Sequence, residues 1–146
     1  MNNVLNRNPP GSFWAISILL LIWNAMGVFA YLTQVSTSSK QLAETYPAAE
    51  IAILSSAPTW VTGAFAIAVF VGLSGVLALL ARKSWARLLF IVSLLAVLAQ
   101  HFWTFALSGL LDIVGPERLI MPIVVVIICI FQIWYAGNAT NRGWLR

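Results

Sequence analysis

The sequence predicts an all-α polytopic membrane protein, with four transmembrane helices in an antiparallel bundle and short interfacial helices between the first and second. Three observations predict it. Of the 146 residues, 61% are hydrophobic and only 8% charged, whereas a soluble domain carries about 25% charged residues. The apolar residues gather into four runs, each long enough to cross a hydrocarbon core about 30 Å thick. Between the runs lie polar segments punctuated by proline and glycine. Such a chain could not cover its apolar surface with polar groups in water; in lipid a helix needs no such cover and satisfies its backbone hydrogen bonds internally.

The first run covers residues 13–35 and, at 1.5 Å per residue, reaches roughly 35 Å. Trp23 and Asn24 sit mid-run with apolar sequence continuing beyond them, so it reads as a retained span rather than a signal peptide. Residues 36–59 turn polar and form the one sizeable segment outside the spans. There Ser38 followed by Gln41 has the spacing of a helix capping box, and Pro47 suits the first turn of a second short helix through Ile51 and Leu54. The second span covers residues 60–81. Its exit, Arg82-Lys83-Ser84, is so short that the third span must return beside it as a helical hairpin. The third span covers residues 85–112, with Gly115-Pro116 as the next strong stop, and the fourth covers 119–137. Pro122 either begins the fourth helix or kinks one that starts at Pro116. All four spans form a single membrane domain over residues 1–146.

The net charge of +4 does not indicate nucleic acid, because the basic residues make neither a patch nor a run. It is instead a topology signal. Arg7, Arg82, Lys83, Arg87, Arg142 and Arg146 fall on one side of a four-span arrangement, while Lys40 and Arg118 fall on the other with Glu44, Glu50, Asp112 and Glu117. Both termini are therefore expected in the cytoplasm, the protein being multi-pass in an inner (plasma) membrane. Trp14, Trp60, Trp85 and Trp134 near span ends agree with that frame. The single cysteine, Cys129, excludes an intrachain disulfide.

Polar residues inside the spans are the candidate functional groups. Asn24, Gly27, Tyr31 and Gln34 share one face of the first helix. That face must point inward, either as interhelical packing or as a solute-contacting wall. Gln100, Thr104, Ser108 and Asp112 recur every fourth residue on the third span, preceded by Ser93 and Ala96 on nearly the same face. Were the two stripes to meet, Tyr31, Gln34, Gln100, Thr104 and Asp112 would line an outward-opening polar crevice suited to a small hydroxylated solute. His101 lies beside it, either as a neutral hydrogen-bonded side chain or as a proton or solute site.

Ala64, Ala68, Gly72 and Gly75 place a small residue at each turn along one face of the second span, a packing seam within the bundle or between subunits. Gln132 and Tyr135 form a weaker pair that reads mostly as structural. A lone histidine cannot build a multi-histidine zinc or bis-histidine haem site within one chain, so no metal and no cofactor is expected. No nucleophile with a matching base can be assembled, so no enzymatic activity is expected either.

The chain resembles a family of short bacterial inner-membrane proteins labelled sugar transporters. The resemblance covers nearly the whole chain. It rests on Leu21-Ile22-Trp23-Asn24 with Gly27, Tyr31 and Gln34, on Ala57-Pro58-Thr59-Trp60, on Arg82-Lys83-Ser84-Trp85-Ala86, on Gly115-Pro116 leading to Leu119-Ile120-Met121-Pro122-Ile123, and on Arg142-Gly143-Trp144-Leu145. Membership implies four spans and the label. Two functions are thus expected to compete. One is a transporter or channel subunit for a small polar solute such as a sugar, completed by a homo-oligomer. The other is an accessory or assembly protein that binds another membrane protein through the small-residue seam or the 36–59 segment.

Overall fold

The computed structural model describes residues 7–146, and all regular structure among them is helical. Seven α-helices occur: α1 (Gly11–Ser36), α2 (Ser39–Thr45), α3 (Ala48–Ser55), α4 (Thr59–Leu80), α5 (Ala86–Phe102), α6 (Leu110–Val114) and α7 (Ile120–Asn141). Among the described residues four stretches are long and apolar enough to cross a membrane: Gly11–Ser36, Thr59–Leu80, Ala86–Leu107 and Pro116–Asn141. Large side chains such as Ile18, Leu19, Phe29, Leu88, Leu95 and Ile127 face outward. A bilayer is the solvent that accepts such a surface.

The short helices obey local chemistry. Ser38 caps α2, its Oγ accepting from the Gln41 backbone N–H while the Ser38 N–H donates to Gln41 Oε1 at 3.2 Å. Pro47 is the N-cap of α3, one residue ahead of the helix. At the start of α7 the chain winds first as a 3₁₀ turn over Pro116–Leu119 and becomes α-helical at Ile120. Pro122 thus sits in the first α turn, where its missing N–H breaks no hydrogen bond.

The third span differs from the expectation of one helix through residue 112. After Phe102 the winding loosens into a π turn over Trp103–Leu107, and Gly109 takes a left-handed φ of 73°. The Ser108 hydroxyl donates to the Thr104 carbonyl and accepts from the Leu110 N–H, so it ends one helix and starts the next. The every-fourth-residue phase of Gln100, Thr104, Ser108 and Asp112 is lost at this point, and Asp112 lies on the separate helix α6.

Both ends of the bundle are tied. At the α4–α5 turn, Arg82 adopts φ 59°, a conformation costly for a side chain other than glycine. It completes a Schellman cap in which the Lys83 N–H reaches the Ala78 carbonyl at 2.8 Å and the Arg82 N–H reaches Leu79 at 2.9 Å. What holds it there is a set of tertiary bonds. Arg82 Nε donates to the Trp144 carbonyl at 2.8 Å and Nη2 to the Arg7 carbonyl at 3.0 Å, while the Arg146 N–H donates to the Arg82 carbonyl at 2.7 Å. One arginine thereby gathers the segment before α1, the α4–α5 turn and the tail after α7. At the opposite end Glu50 of α3, almost fully buried, pairs with Arg118 at 3.2 Å, joining the segment between α1 and α4 to the one between α5 and α7.

Between these ties, α4 packs against both α1 and α5, and α7 packs against α5. Glycine permits the α4 contacts. A Cβ on Gly75 would lie 2.7 Å from the Phe90 ring, and one on Gly72 would lie 2.7 Å from Asn24 Oδ1 and 3.0 Å from Ser93 Oγ. Near the α4–α5 turn a core of Phe13, Leu20, Val76, Leu79, Phe90, Tyr135 and Ala136 closes the bundle, with Phe13 stacked on Tyr135.

Gly75→Val should therefore cost about 1–3 kcal/mol, the usual range for overpacking a filled core. Gly63→Val, whose Cβ would meet nothing within 4 Å, should change stability far less. Denaturant titration of the two variants in mixed micelles checks the difference.

Candidate functional site

Above the Phe13–Tyr135 core the four long helices line a partly open cavity of about 380 Å³. Its floor is polar. Asn24 from α1, Ser93 from α5 and Gln132 from α7 are all buried and all line it. Two of these side chains are engaged with the protein: Asn24 Nδ2 donates to the Leu20 carbonyl at 2.8 Å, and Ser93 Oγ donates to the Ala68 carbonyl of α4 at 2.7 Å. Gln132 is different. It is 2% exposed, and its Nε2 has no hydrogen-bond partner among the described residues.

The walls rise through Gly27, Ala30, Phe65, Val69, Val97, Val125 and Cys129, and Gln34, Gln100 and His101 add polar groups farther from the floor. Among the described residues, no carboxylate, lysine or arginine lines the cavity. His101 stands between it and a shallow apolar groove of about 650 Å³ on the outer surface of α5 and α7. The imidazole packs edge-on against Phe105, and neither ring nitrogen has a partner among the described residues.

Of the seven solute-contacting candidates, the structure thus brings Asn24, Gln34, Gln100 and His101 to one cavity. It does not bring the other three there. Tyr31 points to α4, packing edge-on against Phe65 and Phe70 at 5.4 and 5.8 Å. Thr104 is engaged by the Gln100 carbonyl at 2.9 Å, and Asp112 lies exposed on α6. The α4 small-residue face is a seam within the bundle at Ala68, Gly72 and Gly75, with Ala64 half-buried beyond them. Gly27 meets it at Val69.

No family model, curated protein or solved structure matches the chain.

Two residues of the floor, Gln132 and Ser93, lie outside the seven candidates. Gln132 is isolated in an apolar run, with no polar neighbour at helical spacing except Tyr135, so only its solitude in a span signalled it. Ser93 was placed beside the stripe, but its bond across to the α4 backbone requires the close approach at Gly72. Among the described residues no group of three or more His, Cys, Asp and Glu side chains is placed to hold a metal ion. The site offers neutral hydrogen-bonding groups in apolar walls.

A buried donor without a partner lowers stability by about 1–3 kcal/mol. Gln132→Met, nearly isosteric, should therefore stabilise the ligand-free protein or leave it unchanged. Ser93→Ala should cost about 1 kcal/mol through the lost bond to Ala68. Paired denaturation curves check the opposite signs.

Proposed function

We propose that the protein is a subunit of a membrane transporter or channel that binds a small uncharged solute in the cavity floored by Asn24, Ser93 and Gln132. The observation that carries this reading is Gln132. Buried polar groups in proteins nearly always find partners, and the Nε2 of this amide has none among the described residues, while the side chain lines a cavity large enough for a small molecule. The lack of charged lining groups favours a neutral solute. A sugar or polyol is the class the family resemblance implies.

The proposed setting is an antiparallel bundle in an inner membrane, with both termini cytoplasmic and α2 and α3 at the outer interface. The Arg82 ties to both terminal segments and the Glu50–Arg118 pair at the other end support the antiparallel arrangement. The excess of Lys and Arg at the Arg82 end supports the orientation. The cavity is closed below by the Phe13–Tyr135 core, so a path across the membrane requires either motion or a second copy. A homo-oligomer is the simplest source of such a path.

An accessory role is the second reading. It is favoured by α2, which buries none of its residues and so offers a surface to another membrane protein.

Thermal stability of the purified protein against sugars, polyols and neutral lipids tests the first reading. A ligand present at one hundred times its Kd adds about 2.7 kcal/mol. The expected result is a shift for one solute class that is lost in Gln100→Leu and reduced in Gln132→Met. No shift with any class, together with loss of cellular function on substitutions in α2 but not at Gln100, would move the assignment to the accessory role.

A further inference from the structure

We infer that the ligand of the cavity is an amphiphile, a molecule with one uncharged hydrogen-bonding head and a hydrocarbon body, which enters from the lipid between α1 and α7. This rests on the reading of the cavity as a binding site and narrows the solute it takes.

Most of the cavity lining is hydrocarbon, which disfavours a ligand that is polar on every side. A monosaccharide brings about five hydroxyl groups, and each one buried without a partner costs at least 1–3 kcal/mol. The floor has little to give them, because the Ser93 hydroxyl proton is already committed to the Ala68 carbonyl and Asn24 Nδ2 to the Leu20 carbonyl. What remains at the floor is Gln132, with the residual capacity of Asn24; Gln34, Gln100 and His101 lie farther up, toward the other end of the cavity. The floor is enough for a single hydroxyl, ester or amide head. Between the floor and the more distant Gln34, Gln100 and His101, Phe65, Val69, Val97 and Val125 present hydrocarbon to whatever lies over the head.

The route follows from which helices touch. Near the floor α1 meets α7 through Phe13 and Tyr135, but along the cavity α1 leans on α4 and α7 on α5. Met26 and Ala30 of α1 and Met121 of α7 line the cavity and are also exposed on the outer surface of the protein. In a membrane that surface is lipid, so these residues frame a lateral opening. At the end away from the floor, the contact of α3 with α6 and the Glu50–Arg118 pair bridge the inter-span segments. An apolar solute dissolved in the bilayer needs no other access.

The test is photolabelling of the full chain in phosphatidylcholine vesicles, using a sixteen-carbon alcohol with a mid-chain diazirine and locating adducts by peptide mass spectrometry. The expected result is saturable labelling within 26–34 and 121–132. Excess unlabelled hexadecanol should remove it and glucose should not. Ala30→Trp, at an exposed position, should block it, and Gln132→Met should weaken apparent affinity about fivefold, the worth of one net hydrogen bond. Labelling that cannot be competed and is confined to outward-facing residues such as Leu19, Phe29 and Ile127 would overturn the inference. If a sugar then still raised the melting temperature, the binding reading would stand and only the amphiphile would fall; if no ligand of either kind bound, both would fall.

Discussion

The approach of α4 to its two neighbours at Gly72 and Gly75 is the constraint on which the rest of the structure depends. Lipid offers no hydrophobic drive for apolar helices to associate, so contact between them must come from close packing and interhelical hydrogen bonds. The missing side chains at these glycines provide both. The Phe90 ring occupies the room above Gly75, and Asn24 and Ser93 meet over Gly72 close enough for Ser93 to bond the Ala68 carbonyl. That third contact gives the bundle its polar floor. A bulkier residue at Gly72 would displace α1, α5 or both, and the floor with them.

With α1 and α5 both committed to α4, α7 has α5 left to pack along. The result is closed near the Arg82 end, where Phe13 and Tyr135 stack, and hollow above it. The ties at the two ends have different characters. At one end Arg82 accepts a strained backbone in return for bonds to both terminal segments; at the other, a single ion pair joins the two inter-span segments, with Glu50 buried and Arg118 half exposed. An ion pair with one exposed partner is the weaker tie.

Much of the architecture was legible in the sequence because membrane physics is blunt. Run length and the scarcity of charge give four apolar helices, and Ser38 with Gln41 gives the start of α2. The site was legible in part. Asn24, Gln34, Gln100 and His101 announce themselves as polar residues in apolar runs, and the structure gathers them at one cavity. Helical phase misled at Tyr31, Thr104 and Asp112. It assumes an unbroken helix, yet the π turn after Phe102 and the left-handed Gly109 reset the phase of the third span, and Thr104 is satisfied within its own helix. Phase also says which face a residue occupies but not which neighbour it meets, and Tyr31 turns to α4. Gln132 had no stripe to mark it, since its importance comes from burial without a partner, a property of three dimensions. The same holds for Glu50 and Arg118, separated by 68 positions.

Cys129, the chain's one cysteine, lines the cavity and makes its openness measurable. The most direct test of the account is the rate at which methyl methanethiosulfonate, small and neutral, modifies Cys129 in the folded protein in vesicles. The cavity predicts modification faster than global unfolding, slowed when Ala30→Trp fills the gap between α1 and α7. Modification only at the rate of unfolding, unchanged by Ala30→Trp, would mean that the four helices close on one another, and the account would be contradicted.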